Sequence, residues 1–191
     1  MTRAYNPLSV DELGRNAVRA LLEYPCEALP PPDQFPGAGV YTIHYNGSFP
    51  AYQDIPEGAP IYVGKADPPG KRQGGKAARQ TDTPVLFSRL REHANSIDQT
   101  ENLHPGDFCC RWLLFAPVWI ELTEQVLIAQ YQPLWNVVVD GFGIHSPGRG
   151  RRAQRRSRWD TLHPGREFAI LLPDREESVE AITGAIAEHL R

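Results

Sequence analysis

The sequence predicts an α+β fold, and three observations carry that expectation. Segments rich in β-branched and aromatic residues alternate with segments of helical periodicity, in the order strand, strand, helix, strand, helix. A chain of 191 residues with 41% apolar content has material for one core, so residues 1–191 are expected to form a single domain. The 16 Gly and 18 Pro gather between the periodic segments, which marks long ordered loops.

The elements follow in order along the chain. Ser9-Val10-Asp11-Glu12 has the S-x-x-E form of a capping box, and Leu13, Val18, Leu21 and Leu22 recur at roughly helical spacing up to Pro25, which predicts an N-terminal helix. A Pro-rich extended connector runs from Leu29 to Pro36. Gly39 to Tyr45 and Pro60 to Val63 read as two strands of a hairpin with a long intervening loop, residues 46–59. Lys65, Lys71, Arg72, Lys76 and Arg79, with Gly70, Gly74 and Gly75, give residues 65–83 the chemistry of a phosphate-contacting loop; composition alone fits an unliganded solvated loop equally well. Pro84 opens a helix reaching about Ile97, and a third strand covers Phe108 to Phe115. Pro117 suits the first turn of the next helix, in which Ile120, Leu127, Ile128 and Tyr131 recur until Pro133. A strand-like run at Phe168 to Leu172 precedes a closing helix capped by Asp174 and Glu177, with Val179, Ile182, Ile186 and Leu190 on one face.

Composition narrows the function classes. The formal charge is −3, but 17 of the 20 basic residues are Arg and many are bunched, so the distribution matters more than the sum. Cys26, Cys109 and Cys110 show neither zinc spacing nor a disulfide framework, and read as buried thiols of a reducing cytosol. With no run of 18 apolar residues and no apolar leader, a soluble cytoplasmic protein without membrane contact is expected.

Phosphodiester hydrolysis needs a deprotonated water, positive charge on the phosphate, and help for the departing 3′ oxygen. Arg89 and His93 lie four apart, so one helix presents both to the same substrate; Arg91, the rival, points about 160° from His93. Glu124 sits one turn after Ile120, near the apolar stripe, where a carboxylate wants a partner such as a divalent metal. Glu121 is the alternative carboxylate, but a Glu in the first turn simply suits the helix dipole.

Gly39-Val40-Tyr41 and Tyr62-Val63-Gly64, followed by Arg89, His93, Glu124 and Asn136, resemble the GIY-YIG nuclease superfamily, with Val in place of Ile in both name motifs. The resemblance covers roughly residues 37–140, the catalytic core. It implies a small antiparallel three-stranded β-sheet flanked by helices, sandwich-like, with an N-terminal helix, inserted loops and a C-terminal extension. Residues 46–59 then count as an insertion between the two tyrosine motifs. The resemblance further implies Tyr41 as general base for the attacking water, Tyr62 as the hydroxyl that orients water or phosphate, and Arg89 as the grip on the phosphate. By the same likeness Glu124 is the ligand of one Mg²⁺, and Asn136 is a structural or phosphate-positioning amide. A phenol with an ordinary pKa near 10 is a poor base at neutral pH, so His93 is expected to take its proton.

Positions 149–158 hold six arginines, Arg149, Arg151, Arg152, Arg155, Arg156 and Arg158, which repel unless an anion lies among them. A duplex supplies phosphates, and Arg reads G bidentately in the major groove. Residues 141–172 are expected to be the DNA-recognition region of the same domain, with Lys65 and Lys76 as further DNA contacts. Residues 141–166 also resemble the recognition region of GIY-YIG restriction enzymes. The expected function is a Mg²⁺-dependent type II site-specific deoxyribonuclease, acting on double-stranded DNA at a palindromic, GC-containing site as a homodimer at least on DNA. The alternatives are a structure-specific or repair GIY-YIG nuclease, and a non-catalytic nucleic-acid-binding module.

Overall fold

The computed structural model describes residues 10–68, 82–144 and 154–191. The elements are α1 (Val10–Glu23), β1 (Glu27–Ala28), β2 (Gly39–Tyr45), β3 (Tyr62–Ala66), α2 (Val85–Asp98), β4 (Phe108–Leu114), α3 (Pro117–Tyr131), α4 (Leu134–Val137), α5 (Arg158–Leu162), α6 (Glu167–Ile170) and α7 (Val179–His189). The sheet is antiparallel with order β1-β4-β2-β3. It has four strands where the sequence predicts three. The addition is the two-residue β1, which pairs Glu27 with Cys110 and Ala28 with Cys109 and is too short to carry a periodicity of its own.

The central strand β2 is buried along nearly its whole length, so alternate side chains feed two cores. Val40 joins Val63, Ala17, Leu21, Ile120 and Leu127 beneath α1 and α3. Tyr41 and Ile43 face the opposite way, into a larger cluster with Leu86, Leu90 and Ile97 of α2, Trp135, Phe142, Trp159 and the α7 residues Ile182 and Ile186. Helices therefore cover both faces of the sheet, and β3 forms an outer edge. Among the described residues no helix is long and apolar enough to cross a membrane.

Several expectations are corrected. Cys26 and Cys109 form a disulfide across 83 residues of sequence, with Cα atoms 5.6 Å apart, a pairing that only the β1–β4 register brings together. Cys110 remains a buried thiol, pushed up to about 12 by burial. The strand-like run Phe168 to Leu172 is in large part the helical turn α6, whose carbonyls at Ala169 and Ile170 accept from the Arg156 guanidinium, Ala169 O also accepting from Leu172 N at 3.1 Å. The closing helix is capped by Ser178, which accepts from Ala181 N at 3.2 Å. Glu177 is instead engaged by Arg158 and Arg175. Val179 is exposed rather than part of the apolar face, whereas Ile182 and Ile186 are fully buried. Ser9 of the expected capping box lies outside the described residues.

Residues 46–59, expected to be an insertion, have a packing role. Their short 3₁₀ turn Pro50–Tyr52 buries Tyr52, whose hydroxyl accepts from Trp135 Nε1 at 2.8 Å and meets His163 Nε2 at 2.5 Å. His163 Nδ1 lies 2.9 Å from Asn102 Oδ1. Burial, then the Arg166 charge, lowers His163 to about 3, so the ring is neutral. A proton on Nδ1 donated to Asn102 leaves Nε2 to accept from Tyr52, and every polar atom of the junction is satisfied.

Candidate active site and nucleic-acid interface

The two glycines of the tyrosine motifs are set by close approach. A Cβ on Gly39 would collide with the Leu113 carbonyl across the β2–β4 ladder, and one on Gly64 would strike the Tyr41 hydroxyl. Gly64 pairs with Tyr41 across the β2–β3 ladder, so the absent side chain leaves room for the phenol above it.

Tyr41 is fully buried. Its hydroxyl meets His93 Nε2 at 2.5 Å, its ring lies 6.2 Å from that of Tyr62, and the Arg89 charge acts on it. Helix α2 presents Arg89 and His93 one turn apart on one face, as the sequence predicts, with Arg89 partly exposed, His93 buried and Arg91 exposed. Burial first, and then the neighbouring Tyr62, holds the Tyr41 phenol well above its ordinary value, while Arg89 pulls the other way. Tyr62 is raised for the same first reason. Both phenols are therefore neutral in the DNA-free protein, and ionising Tyr41 requires a neighbour that takes its proton. His93 is in hydrogen-bond contact to do so.

Glu124 lies on α3 with its side chain only 18% exposed, near enough for its charge to act on both Tyr41 and Tyr62. Partial burial raises its pKa, although Lys65 opposes this. Lys65 Nζ sits 2.7 Å from Glu124 Oε2 and 2.5 Å from Glu121 Oε2. The two acidic residues that the sequence left as alternatives thus share one ammonium. Burial disfavours the Lys65 charge, yet the paired carboxylates together hold its pKa above the usual value.

Asn136 acts on the edge strand. Its Oδ1 accepts from Val63 N and its Nδ2 donates to Val63 O, both at 2.8 Å, while Trp135 N donates to Ile61 O at 2.9 Å. The amide thus completes the ladder of β3 at a fully buried residue. Asn136→Ala is expected to destabilise the fold by about 2–3 kcal/mol by orphaning both groups. Unchanged urea unfolding of the variant would show that the pairing contributes nothing.

Half of the Arg-rich tract can be placed. Arg155 pairs with Glu176 at 3.0 Å, Arg156 with Asp174 at 2.9 Å, and Arg158 with Glu177 at 2.6 Å, with a second Arg158 contact to Glu177 at 2.8 Å. The carboxylates of residues 174–177 are the anions that lie among these guanidinium groups. Composition gave no sign of this, because the acids follow some twenty residues later. Lys76, Arg149, Arg151 and Arg152 lie outside the described residues.

Among the described residues no group of three or more His, Cys, Asp or Glu side chains forms a metal cluster. A Mg²⁺ site does not need one. The ion keeps several waters and is commonly held by one or two carboxylates plus substrate phosphate. A partly buried Glu124 carboxylate that already has a cation at 2.7 Å fits that mode.

A family model described as the Eco29kI GIY-YIG domain matches residues 33–190. The match spans the tyrosine motifs, α2, α3 and the whole C-terminal extension. No curated protein matches the chain.

Proposed function

The chain belongs to the Eco29kI GIY-YIG family, a type II restriction endonuclease family, and from that premise we propose that it is a Mg²⁺-dependent enzyme cutting duplex DNA at a specific sequence. The observation that carries the catalytic part is the Tyr41–His93 contact beside Arg89 and within electrostatic reach of Glu124. The Tyr52–His163 pair makes the same contact in a packing role; what sets Tyr41 apart is the company of Arg89 and Glu124, whose charges both act on its phenol.

In the proposed reaction, Arg89 grips a non-bridging oxygen of the scissile phosphate, with its bidentate fork matched to that geometry. The Tyr62 hydroxyl orients the water. As the water oxygen bonds to phosphorus, its proton passes to the Tyr41 oxygen and the Tyr41 proton passes to His93 Nε2. The P–O3′ bond breaks, and the oxygen released takes up a proton from solvent. When bound at Glu124, Mg²⁺ supplies charge neutralisation at that departing oxygen.

Duplex recognition rests on the residue chemistry of the tract. Arg155, Arg156 and Arg158 brace it against residues 174–177, and Arg149, Arg151 and Arg152 are assigned to the DNA with Lys76. One such site cuts one strand, so cleavage of both strands at a palindrome calls for a twofold homodimer on DNA. Incubating the protein with long unmethylated DNA and Mg²⁺, then sequencing the fragment ends, tests the reading. A single recurring sequence at the ends is expected. Ends scattered over sequence, or cuts confined to branched DNA, would exclude a restriction enzyme.

Lys65 bears on the same reading. Lys65→Met removes the cation that competes at Glu124, and is expected to tighten Mn²⁺ binding to the DNA-free protein several-fold, of the order of a partly exposed ion pair. Calorimetric titration giving unchanged affinity would mean that the ammonium does not occupy the metal position.

A further inference from the structure

The catalytic side chains on α2 do not rest on the sheet alone; they are seated against the turn formed by residues 141–144. Arg89 Nη2 donates to Gly143 O at 3.0 Å. The His93 ring stacks on Phe142 with centroids 4.5 Å apart and planes 20° apart, and Tyr62 meets the edge of the same Phe142 ring. A Cβ on Gly143 would lie 2.7 Å from the Tyr62 hydroxyl. The turn is thus a template for three of the reacting residues, yet it belongs to no helix or strand and carries no ladder of its own.

What fixes the turn is a buried cation. Arg166 is 1% exposed; its Nη2 donates to Gly141 O at 3.0 Å, and its Nη1 to Phe142 O at 3.2 Å and Ile144 O at 3.0 Å. Its Nε donates to Asp160 Oδ1 at 2.7 Å, and its guanidinium lies over the rings of Trp159 and Phe168. The other oxygen of Asp160 accepts from Ser157 Oγ at 2.6 Å, and Ser157 stands between the tract arginines Arg156 and Arg158. A planar fork with five donors is the side chain able to gather three carbonyls and a carboxylate at one point.

We infer that Arg166 is a positioning residue of the catalytic centre. From the recognition region it clamps the 141–144 turn that sets the Arg89 guanidinium and the His93 ring. Ser157, Asp160, Arg166 and the turn form one continuous hydrogen-bonded path from the Arg-rich tract to α2. Neither composition nor spacing points to Arg166, since it lies beyond the arginine cluster and resembles one more surface cation. The inference rests on the nuclease reading for its kinetic consequence and on geometry alone for its structural one.

The test uses the full chain, its cognate duplex, and Arg166→Met and Arg166→Lys. Single-turnover cleavage at saturating protein is read beside duplex affinity in Ca²⁺ and the imidazole resonances of His93, which report the Phe142 ring current. Arg166→Met is expected to bind within about threefold and to cut about 10²-fold more slowly, the scale of a small misplacement of reacting groups. The His93 signals should move, and Arg166→Lys should recover part of both. A folded Arg166→Met that cuts at the unmodified rate, or cuts slowly with His93 signals unmoved, overturns the inference. If Arg166→Met does not fold, Arg166→Lys, which keeps the buried charge and loses the planar fork, decides by the same two readouts. Failure of the unmodified chain to cut any DNA would sink the nuclease reading instead, and the His93 resonances would still decide whether Arg166 sets that ring.

Discussion

Tyr41→Phe is expected to lower single-turnover cleavage by about 10³-fold, within the 10²–10⁴ range of general-base catalysis, while duplex affinity stays within about twofold. The variant removes one oxygen from a fully buried ring, so the packing of Tyr41 against Tyr62 and His93 survives. What disappears is the hydroxyl in contact with His93 Nε2, the group proposed to pass it a proton from the water. Burial holds this phenol well above its ordinary range, so spontaneous ionisation at neutral pH does not supply the base, and the histidine is needed. His93→Ala should therefore fall to a similar level, and the double variant should be little worse than either single one, as for residues that act as a unit. Two single losses that multiply would mean that Tyr41 and His93 act separately. A Tyr41→Phe enzyme at full rate would remove Tyr41 from the chemistry and leave Tyr62 as the phenol to test.

The centre of this site was legible because its constraints are local. Arg89 and His93 share a face by helical arithmetic, and each tyrosine is bound to a motif glycine whose missing side chain makes room for a neighbouring carbonyl or ring. Helices α2 and α3 announce themselves through Pro84 just before the one and Pro117 in the first turn of the other, and through recurring apolar residues. The parts that stayed hidden are those set by distant partners. Cys26 meets Cys109 only once β1 has found its place beside β4. The described tract arginines looked like an unneutralised cluster because Asp174, Glu176 and Glu177 reach them through the fold rather than along the chain. The turn α6 takes a helical form in a run that reads as strand, and its end carbonyls are met by Leu172 N and by the Arg156 guanidinium from thirteen residues earlier in the chain. Residues 46–59 gave no signal because their fully buried anchor, Tyr52, answers to Trp135 and His163 from two other segments.

Glu124→Gln is expected to abolish detectable Mg²⁺-supported cleavage, a loss of at least about 10³-fold for a group worth several kcal/mol of charge stabilisation, with the duplex still bound. The substitution is nearly isosteric, but it removes the negative charge that a hard cation requires and leaves a single neutral oxygen as donor. Removing that charge also weakens the hold on Lys65, which keeps Glu121 at 2.5 Å and so remains near the site as a lone monovalent cation. Such an ammonium can attract phosphate without replacing the divalent charge, so binding is expected to persist where cutting fails. Glu121→Gln provides the contrast. Its side chain is half exposed, and its loss should change cleavage only a few-fold, because the Lys65–Glu124 pair remains. If Glu121→Gln were instead the inactive variant and Glu124→Gln the active one, the metal-holding carboxylate would be the exposed one, and the partial burial of Glu124 would have to be explained by its pairing with Lys65 alone.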